Sequence, residues 1–563
     1  MPSAEREDRR FRWIAGFSYP LLLSVYLIYW SHADYFVDDW FLIKHFRHAA
    51  GWKGVASFAA AAAENRVYQV FRMQWLSILY GFLITALGGY SPRFNFAALL
   101  LLHAACAWLL SQAVRRAGFE RGLAFLAGVF YLLAPMAHFG LLTYLANPFF
   151  VLSTFWVLLL LWFSLGARRP GMGELAFASA CAVAALFSGE QVFLLVWAIV
   201  PLAALSFRKK PMPAAWPAAG AIWAAASAAL AVYLLWINRL PVRQTGIHRR
   251  YEWTSARFAS NLLQIGGELR QLSGVTSDSL FHFSLHKTED ALALAGALLV
   301  TALVWKWRGG DRENGRLRRL FGFAVGGAAL AYAPVMWIAG GFPRFRYHYA
   351  PAPYLGLAAA VAVWACGRSR WTRWSPAALA GLATGFLIFN AAADLRQSWI
   401  PESEQQHNLE VYMRQVKNIA PGDIFVVSGT PPQIGTAPHF SMHSTISASA
   451  FVELVTGLEP LEAYLDFWNL HGRLVRDPDD LEHFLSESDL ARTHVLMCSY
   501  DGRFSSLDWI AIEIGTDSFR LLPLKGVSDS GNARRQIYSR EQLALAQWPV
   551  YFPKIVRPRV AAR

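Results

Sequence analysis

The chain has 563 residues and a formal net charge of +14, with 55% hydrophobic and 16% charged residues; a soluble domain carries roughly 25% charged residues. This composition excludes a disordered chain and argues against a purely soluble enzyme. The charge is divided: the first 399 residues hold 37 Lys+Arg against 18 Asp+Glu, and the remaining 164 hold 15 against 20, so the two parts suit different surroundings. The four cysteines offer no disulfide framework, since Cys106, Cys181 and Cys366 lie in apolar runs and Cys498 stands alone.

A hydrocarbon core of roughly 30 Å needs about 20 helical residues. In chain order, apolar stretches that meet this need run near 14–30, 94–114, 121–138, 146–166, 174–188, 191–207, 214–237, 289–306, 320–340, 348–366 and 375–393, eleven candidate spans. The first follows a basic arm (Arg6, Arg9, Arg10, Arg12) and ends in Tyr29-Trp30, an interfacial anchor, which favours an uncleaved helix over a signal peptide. With a cytoplasmic N-terminus, the clusters Arg115/Arg116/Arg121, Arg168/Arg169, Arg208/Lys209/Lys210, Lys306 to Arg319 and Arg368/Arg370/Arg373 all fall on the cytoplasmic side, as basic loops do. That agreement requires residues 70–88 to lie in the membrane plane or re-enter rather than cross.

This topology puts a long first loop (31–93), a turn at 139–145, the Ser188-Gly189-Glu190-Gln191 junction, a loop at 238–287, the turn 341–347 and the tail on the outer face. The expected architecture is mainly α: a polytopic helical membrane domain over 1–393, followed by an extracytoplasmic soluble α/β domain over 394–563. In that tail, strand-like runs at 423–429, 493–500 and 509–515 alternate with helix-like ones such as HNLEVYMRQVKNI and PDDLEHFLSES. The expected location is the inner (cytoplasmic) membrane.

Three outward features carry chemistry. The stretch Ala33 to Trp40 contains Asp34 and the pair Asp38-Asp39; adjacent carboxylates at a membrane surface can raise one another's pKa and take a proton from a hydroxyl, or simply solvate a helix end. The run Phe342 to Pro351 holds Arg344, Arg346, Tyr347 and His348. Guanidinium groups there suit a lipid phosphate, because they stay charged and bind its oxygens bidentately. Glu190 in a helix break, with Asn147-Pro148 at another helix start, suits a polar cavity. The arginines of 238–287 offer further attraction to phosphate or to anionic head groups.

His103 inside a span is expected to be a packing hydrogen-bonder, and Gly381 to Gly385 a close-packing helix face. No His/Cys cluster has zinc spacing, and there is no P-loop or Gly-rich nucleotide fingerprint. The basic excess reads as membrane topology, with nucleic acid excluded as a partner.

Taken together, these residues resemble the GT-C superfamily of polytopic glycosyltransferases, particularly its protein O-mannosyltransferase-like branch. Asp38-Asp39-Trp40 after the first span is similar to that branch's acidic motif. Phe71-Arg72, the apolar run Phe94 to His103, Ser188-Gly189-Glu190 and Arg346-Tyr347-His348-Tyr349-Ala350-Pro351 follow in the family's order. The likeness covers residues 14–366. It implies a polyprenyl-phosphate-linked sugar donor and inverting transfer to an acceptor hydroxyl of a glycan, lipid or protein on the outer, periplasmic face. Asp38 or Asp39 would be the base. Arg346 and Arg344, with Tyr347, His348 and Arg72, would hold the donor phosphate, and Glu190, Asn147 and Trp40 would line the cavity. No cofactor is expected, and no metal is assigned, although a divalent cation is chemically compatible with carboxylates and phosphate. A transporter or flippase of lipid-linked sugars is the alternative, and it would call for an internal repeat that the sequence does not display.

Overall fold

A computed structural model of the chain describes residues 2–35, 39–48, 74–143, 145–166, 171–207, 215–239, 254–274, 288–307, 314–336, 348–366, 375–428, 433–434, 437–438, 445–465, 491–498, 503–515, 518–525, 537–539, 542 and 550–551. They form two compact units: residues 1–33 with 49–397, and residues 34–48 with 398–563.

The first unit is helical. Its described helices are α1 (Pro2–Leu22), continued by a 3₁₀ stretch Leu23–His32, then α3 (Trp75–Leu87), α4 (Pro92–Arg116), α5 (Arg121–Leu132), α6 (Pro135–Leu142), α7 (Phe149–Gly166), α8 (Met172–Ser188), α9 (Phe193–Phe207), α10 (Ala215–Arg239), α11 (Ser255–Gly274), α12 (Thr288–Lys306), α13 (Asn314–Tyr332), α14 (Ala352–Cys366) and α15 (Ser375–Asp394). The name α2 is kept for Asp39–His48 in the second unit. Among the described residues, three helical runs are each long and apolar enough to cross a membrane: Glu5–His32, Pro92–Arg116 and Pro376–Met413. The pair α5 and α6 passes the same criterion together, bent by 50° where Pro135 lacks the amide hydrogen that would continue the first helix. Shorter apolar helices include α3, α8, α9 and α14. At about 1.5 Å per residue, the 13 residues of α3 reach roughly 20 Å, short of the hydrocarbon thickness.

Small residues let these helices approach. A Cβ on Gly381 would overlap Thr301 Oγ1 and lie 2.8 Å from Ala297 O, and one on Gly385 would lie 3.1 Å from Ala297 Cβ, so the expected packing face of α15 is seated on α12. His103, buried in α4, is likewise spent on packing. Its Nε2 donates to Leu132 O at 3.0 Å, which makes Nδ1 an acceptor for Tyr349 OH at 2.6 Å, and Tyr131 OH, 3.1 Å from Nδ1, donates to the Tyr349 oxygen at 2.8 Å.

One expectation needs correcting. Residues 238–287 were expected to be loop, yet Ser255–Gly274 is a 20-residue helix. Its polar side chains Asn261, Gln264 and Glu268 share the i, i+3, i+7 stripe with Ile265. Asn261, Ile265 and Glu268 are buried, while Phe258, Leu262 and Leu263 are exposed. A hydropathy average over such a helix is near zero, which hides it.

The described residues of the second unit form α2, a 14-residue helix α16 (Ile400–Met413), α17 (Thr445–Thr456) and ten short strands, of which β2 (Gln433–Ile434) and β3 (Ala437–Pro438) pair antiparallel. Strands β1 (Ile424–Ser428), β4 (Glu462–Leu465), β5 (Thr493–Cys498) and β6 (Phe504–Leu507) form a sheet in the order β4-β1-β5-β6, parallel except for the β5/β6 pair. β1 is buried at every position, as befits a strand flanked on both sides. A second sheet orders β10 (Val550–Tyr551), β7 (Trp509–Gly515), β8 (Ser518–Pro523) and β9 (Ile537–Ser539). The expected strands at 423–429, 493–500 and 509–515 correspond to β1, β5 and β7. The expected helix PDDLEHFLSES lies outside the described residues.

Candidate functional site

The acidic stretch is built from the end of the first apolar helix and α2. Asp34 accepts the Tyr35 backbone N–H at Oδ1, 2.7 Å. Burial removes water from this carboxyl and the Glu410 charge opposes its ionisation; bonds from Tyr35 and Gln406 offset only part, and its pKa is pushed up to about 7. Asp39 opens α2 and is fully buried, where the positive end of the helix favours a carboxylate. Asp38 lies outside the described residues.

Trp40 fixes this segment. Its indole Nε1 donates to Gln406 Oε1 at 3.4 Å, while Gln406 Nε2 donates to Tyr35 O at 2.9 Å, so one amide on α16 joins Trp40 to the backbone beside Asp34. The indole also meets Phe451 edge-on at 5.0 Å and Tyr35 at 5.8 Å. One turn along, Lys44 Nζ pairs with Glu453 Oε2 at 2.5 Å and with Glu459 Oε1 at 3.4 Å. Residues 34–48 are thus an integral part of the second unit. The expected cavity residue Trp40 is 8% exposed and acts here as an anchor.

In the first unit, His348 is fully buried at the entry to α14. Its Nε2 lies 2.8 Å from Glu268 Oε2 and its Nδ1 2.7 Å from Tyr332 OH; Glu268 Oε1 also accepts Gln264 Nε2 at 2.9 Å. With a neutral ring, all three bonds are satisfied when Nε2–H donates to the carboxylate and the phenol donates to Nδ1. Both ring nitrogens are therefore engaged by protein groups in this arrangement, and the imidazole ties α11, α13 and the start of α14 together. Asn261 Nδ2 adds a bond to Met336 O at 2.8 Å.

Asn147 is buried, with Nδ2 donating to Gln74 Oε1 at 3.0 Å. It follows a segment against which α3 is pressed, so closely that a Cβ on Gly81 would overlap the Ala146 carbonyl. Glu190 begins a 3₁₀ turn, Glu190–Val192, between α8 and α9. Arg72, Arg344, Arg346 and Tyr347 lie outside the described residues. Among the expected site residues, Asp39 and Trp40 are brought together on one helix, and His348 and Asn147 each sit in a separate polar cluster of the first unit.

Sequence reasoning passed over Asp34 as a reactive group, Glu268 as the partner of His348, and the buried pair His138 Nδ1 with Asp394 Oδ2 at 3.4 Å. Glu268 had a usable signal: a carboxylate four residues after Gln264 and seven after Asn261, all on one stripe of a periodic apolar segment. Among the described residues, no group of three or more His, Cys, Asp or Glu is placed to hold a metal ion.

No protein-family model matches the chain, and no curated protein matches it. Among solved structures it is similar to the arabinofuranosyltransferase AftD from mycobacteria, with a TM-score of 0.45 and 14% identity over 94% of this chain; the chain spans 39% of AftD's length. It is also similar to ArnT from Cupriavidus metallidurans, solved bound to undecaprenyl phosphate, with a TM-score of 0.36 and 12% identity over 86% of this chain and 93% of that one.

Proposed function

We propose that the chain is an integral membrane glycosyltransferase of the GT-C kind, with about eleven membrane-spanning helices, a cytoplasmic N-terminus and an extracytoplasmic C-terminal domain. It takes a sugar from a polyprenyl-phosphate carrier and transfers it, with inversion, to an acceptor hydroxyl on the outer face of the inner membrane. The observation that carries the reading is the acidic stretch directly after the first apolar helix, where Asp34 has a proton affinity in the neutral range and Asp39 is buried beside it in sequence on α2.

In the proposed reaction a carboxylate of this stretch accepts the proton of the acceptor hydroxyl. The oxygen attacks the anomeric carbon from the face opposite the phosphate. The bond from that carbon to the phosphate oxygen breaks with its electron pair, and polyprenyl phosphate leaves. Asp38 and Asp39 are the bases the family resemblance assigns, and Asp34 joins them on its environment. Arg344 and Arg346 offset the charge that develops on the leaving phosphate. Tyr347 and Arg72 assist them, while Glu190 and Asn147 belong to the substrate cavity. His348 contributes by holding the helix start that follows the arginines.

The test is release of free polyprenyl phosphate from a panel of polyprenyl phosphate sugars by purified protein, for wild type and for Asp34→Asn, Asp38→Asn and Asp39→Asn, singly and together. Loss of release in one single variant, with binding of the carrier retained, supports the assignment. Full activity in the triple variant refutes a carboxylate base. Binding without release for every donor and acceptor tried favours the transporter.

A further inference from the structure

The second unit carries a cleft of about 340 Å³ between the end of α16 and the β5/β6 pair, a size at the low end of small-molecule sites of roughly 300–1,000 Å³. Two of its lining side chains, His494 and Lys525, are held by one buried carboxylate outside the lining. Asp423 is buried and accepts three donors at Oδ2: the Ala420 backbone N–H at 2.8 Å, His494 Nε2 at 3.0 Å and Lys525 Nζ at 2.5 Å. Phe425 stacks on the His494 ring at 4.7 Å. The imidazole is thereby fixed in orientation, with its proton on Nε2 and its acceptor nitrogen at Nδ1. Burial lowers the pKa of His494 against the pull of Asp423, so the ring is neutral near pH 7.

The walls add groups of both hydrogen-bonding senses. Tyr412 OH and Ser506 Oγ bond each other at 2.6 Å across the cleft's lining. Lys417, Asn418 and Asp508 are exposed along it. Asn418 holds a left-handed backbone (φ 63°) just past the helix end, a conformation Asn accepts more readily than most residues. The charges cancel: Lys525 is neutralised by Asp423, and Lys417 is matched by Asp508. An anion would meet the Asp508 carboxylate and a cation would meet Lys417, whereas a neutral molecule rich in hydroxyls can use donors and acceptors together. Val416 and Leu507 supply apolar patches in the same lining, which suits the C–H faces of a sugar ring.

We propose that this cleft binds a neutral carbohydrate segment, two to a few sugar rings long, on the second unit and independently of the transfer chemistry. It deepens the transferase reading by giving the chain a place to hold glycan, but binding here requires neither a donor lipid nor the acidic stretch.

The test uses the full chain in lipid nanodiscs, titrated with neutral hexose and pentose oligosaccharides of two to four units and read by saturation-transfer NMR and calorimetry. At least one oligosaccharide is expected to bind with a Kd of about 1 mM or tighter. The exposed double substitution Lys417→Ala/Asp508→Ala is expected to weaken it by about tenfold, and Asn418→Gly, which keeps the left-handed backbone, by about fivefold. No binding by any oligosaccharide overturns the proposal. So does binding unchanged in both variants, which would put the sugar elsewhere, or displacement of the sugar by inorganic phosphate, which would make the cleft an anion site. The Asp34→Asn/Asp38→Asn/Asp39→Asn triple variant separates the two readings: it is expected to bind sugar like wild type, so a failure of transfer leaves the cleft standing, and a failure of the cleft leaves transfer standing.

Discussion

Asp34 couples reactivity to stability, and replacing it by Asn separates the two. Burial raises its carboxyl from the ordinary 3.8 to about 7, so between those values the folded chain holds a proton that the unfolded chain has released. Stability rises with pH only where the unfolded state binds more protons; here the folded state binds more, so this group's contribution falls as pH climbs from about 4 to 7, and the whole penalty is present above about 7. At about 1.4 kcal/mol per unit of pKa difference the ceiling is about 4 kcal/mol, and the carboxyl's partial exposure reduces it to about 1–3 kcal/mol. Asn keeps an acceptor for the Tyr35 N–H and carries no charge. Asp34→Asn is therefore expected to stabilise the second unit at about pH 8 by that amount and to match wild type only at about pH 3.5, below the carboxyl's unfolded value, read as the difference in thermal unfolding at the two pH values. If Asp34 takes the acceptor proton, wild-type transfer rises through about pH 7 and the variant loses that limb along with most of its rate. Equal destabilisation of Asp34→Asn at both pH values refutes the burial argument. A stabilised variant with wild-type turnover refutes Asp34 as the base and leaves Asp38 and Asp39.

The helix contact of α12 and α15 is sharply size-limited: Gly381→Val is expected to cost about 1–3 kcal/mol as overpacking, against little change for Gly322→Ala, whose added Cβ meets nothing within 4 Å, measured by thermal unfolding in nanodiscs. Glu268→Ala and His348→Ala remove the two ends of one bond, so their double variant is expected to be less harmful than the sum, with a coupling of about 1–3 kcal/mol in a double-mutant cycle; strict additivity refutes the pairing. Glu268→Gln keeps one acceptor where His348 and Gln264 need two, and is expected to cost about 1–2 kcal/mol. Arg344→Ala and Arg346→Ala are each expected to weaken polyprenyl phosphate binding by about tenfold or more, as loss of a charge-assisted contact does; carriers bound equally well by the double variant would remove these arginines from the phosphate site.

The apolar helices were legible because a lipid-facing or buried span needs only continuous hydropathy, and the Gly381 to Gly385 face because small residues at spacing four have one main use in such helices. His103 was also legible in kind, since an imidazole within a span must find partners. The acidic stretch stands out in the sequence, but there the doublet Asp38-Asp39 is more conspicuous than Asp34. What distinguishes Asp34 is burial beside Gln406 and Glu410, residues some 370 positions away, and no local pattern announces such neighbours. The same holds for Trp40, whose partners Gln406 and Phe451 lie in the C-terminal part of the chain. The membership of residues 34–48 in the second unit rests on such long-range contacts, the Lys44 pairs with Glu453 and Glu459 among them.

The helix Ser255–Gly274 makes the physical reason for the remaining miss explicit. A helix on a soluble protein turns its apolar stripe inward. This one buries Asn261 and Glu268 and presents Phe258, Leu262 and Leu263 outward, the last 77% exposed. That arrangement is costly in water and favourable where the surrounding medium is hydrocarbon, because the exposed leucines then lose nothing and the polar groups find their bonds inside the protein. The buried side is occupied accordingly: Asn261 caps the Met336 carbonyl and Glu268 holds His348. Sequence averages treat such a helix as a polar loop, since both faces enter one mean. Sorting the residues by face instead recovers an apolar outer surface and a polar inner one. The inner one carries the Glu268 bond that holds His348 at the entry to α14, so the part of the chain that hydropathy discards is the part that fixes that helix start.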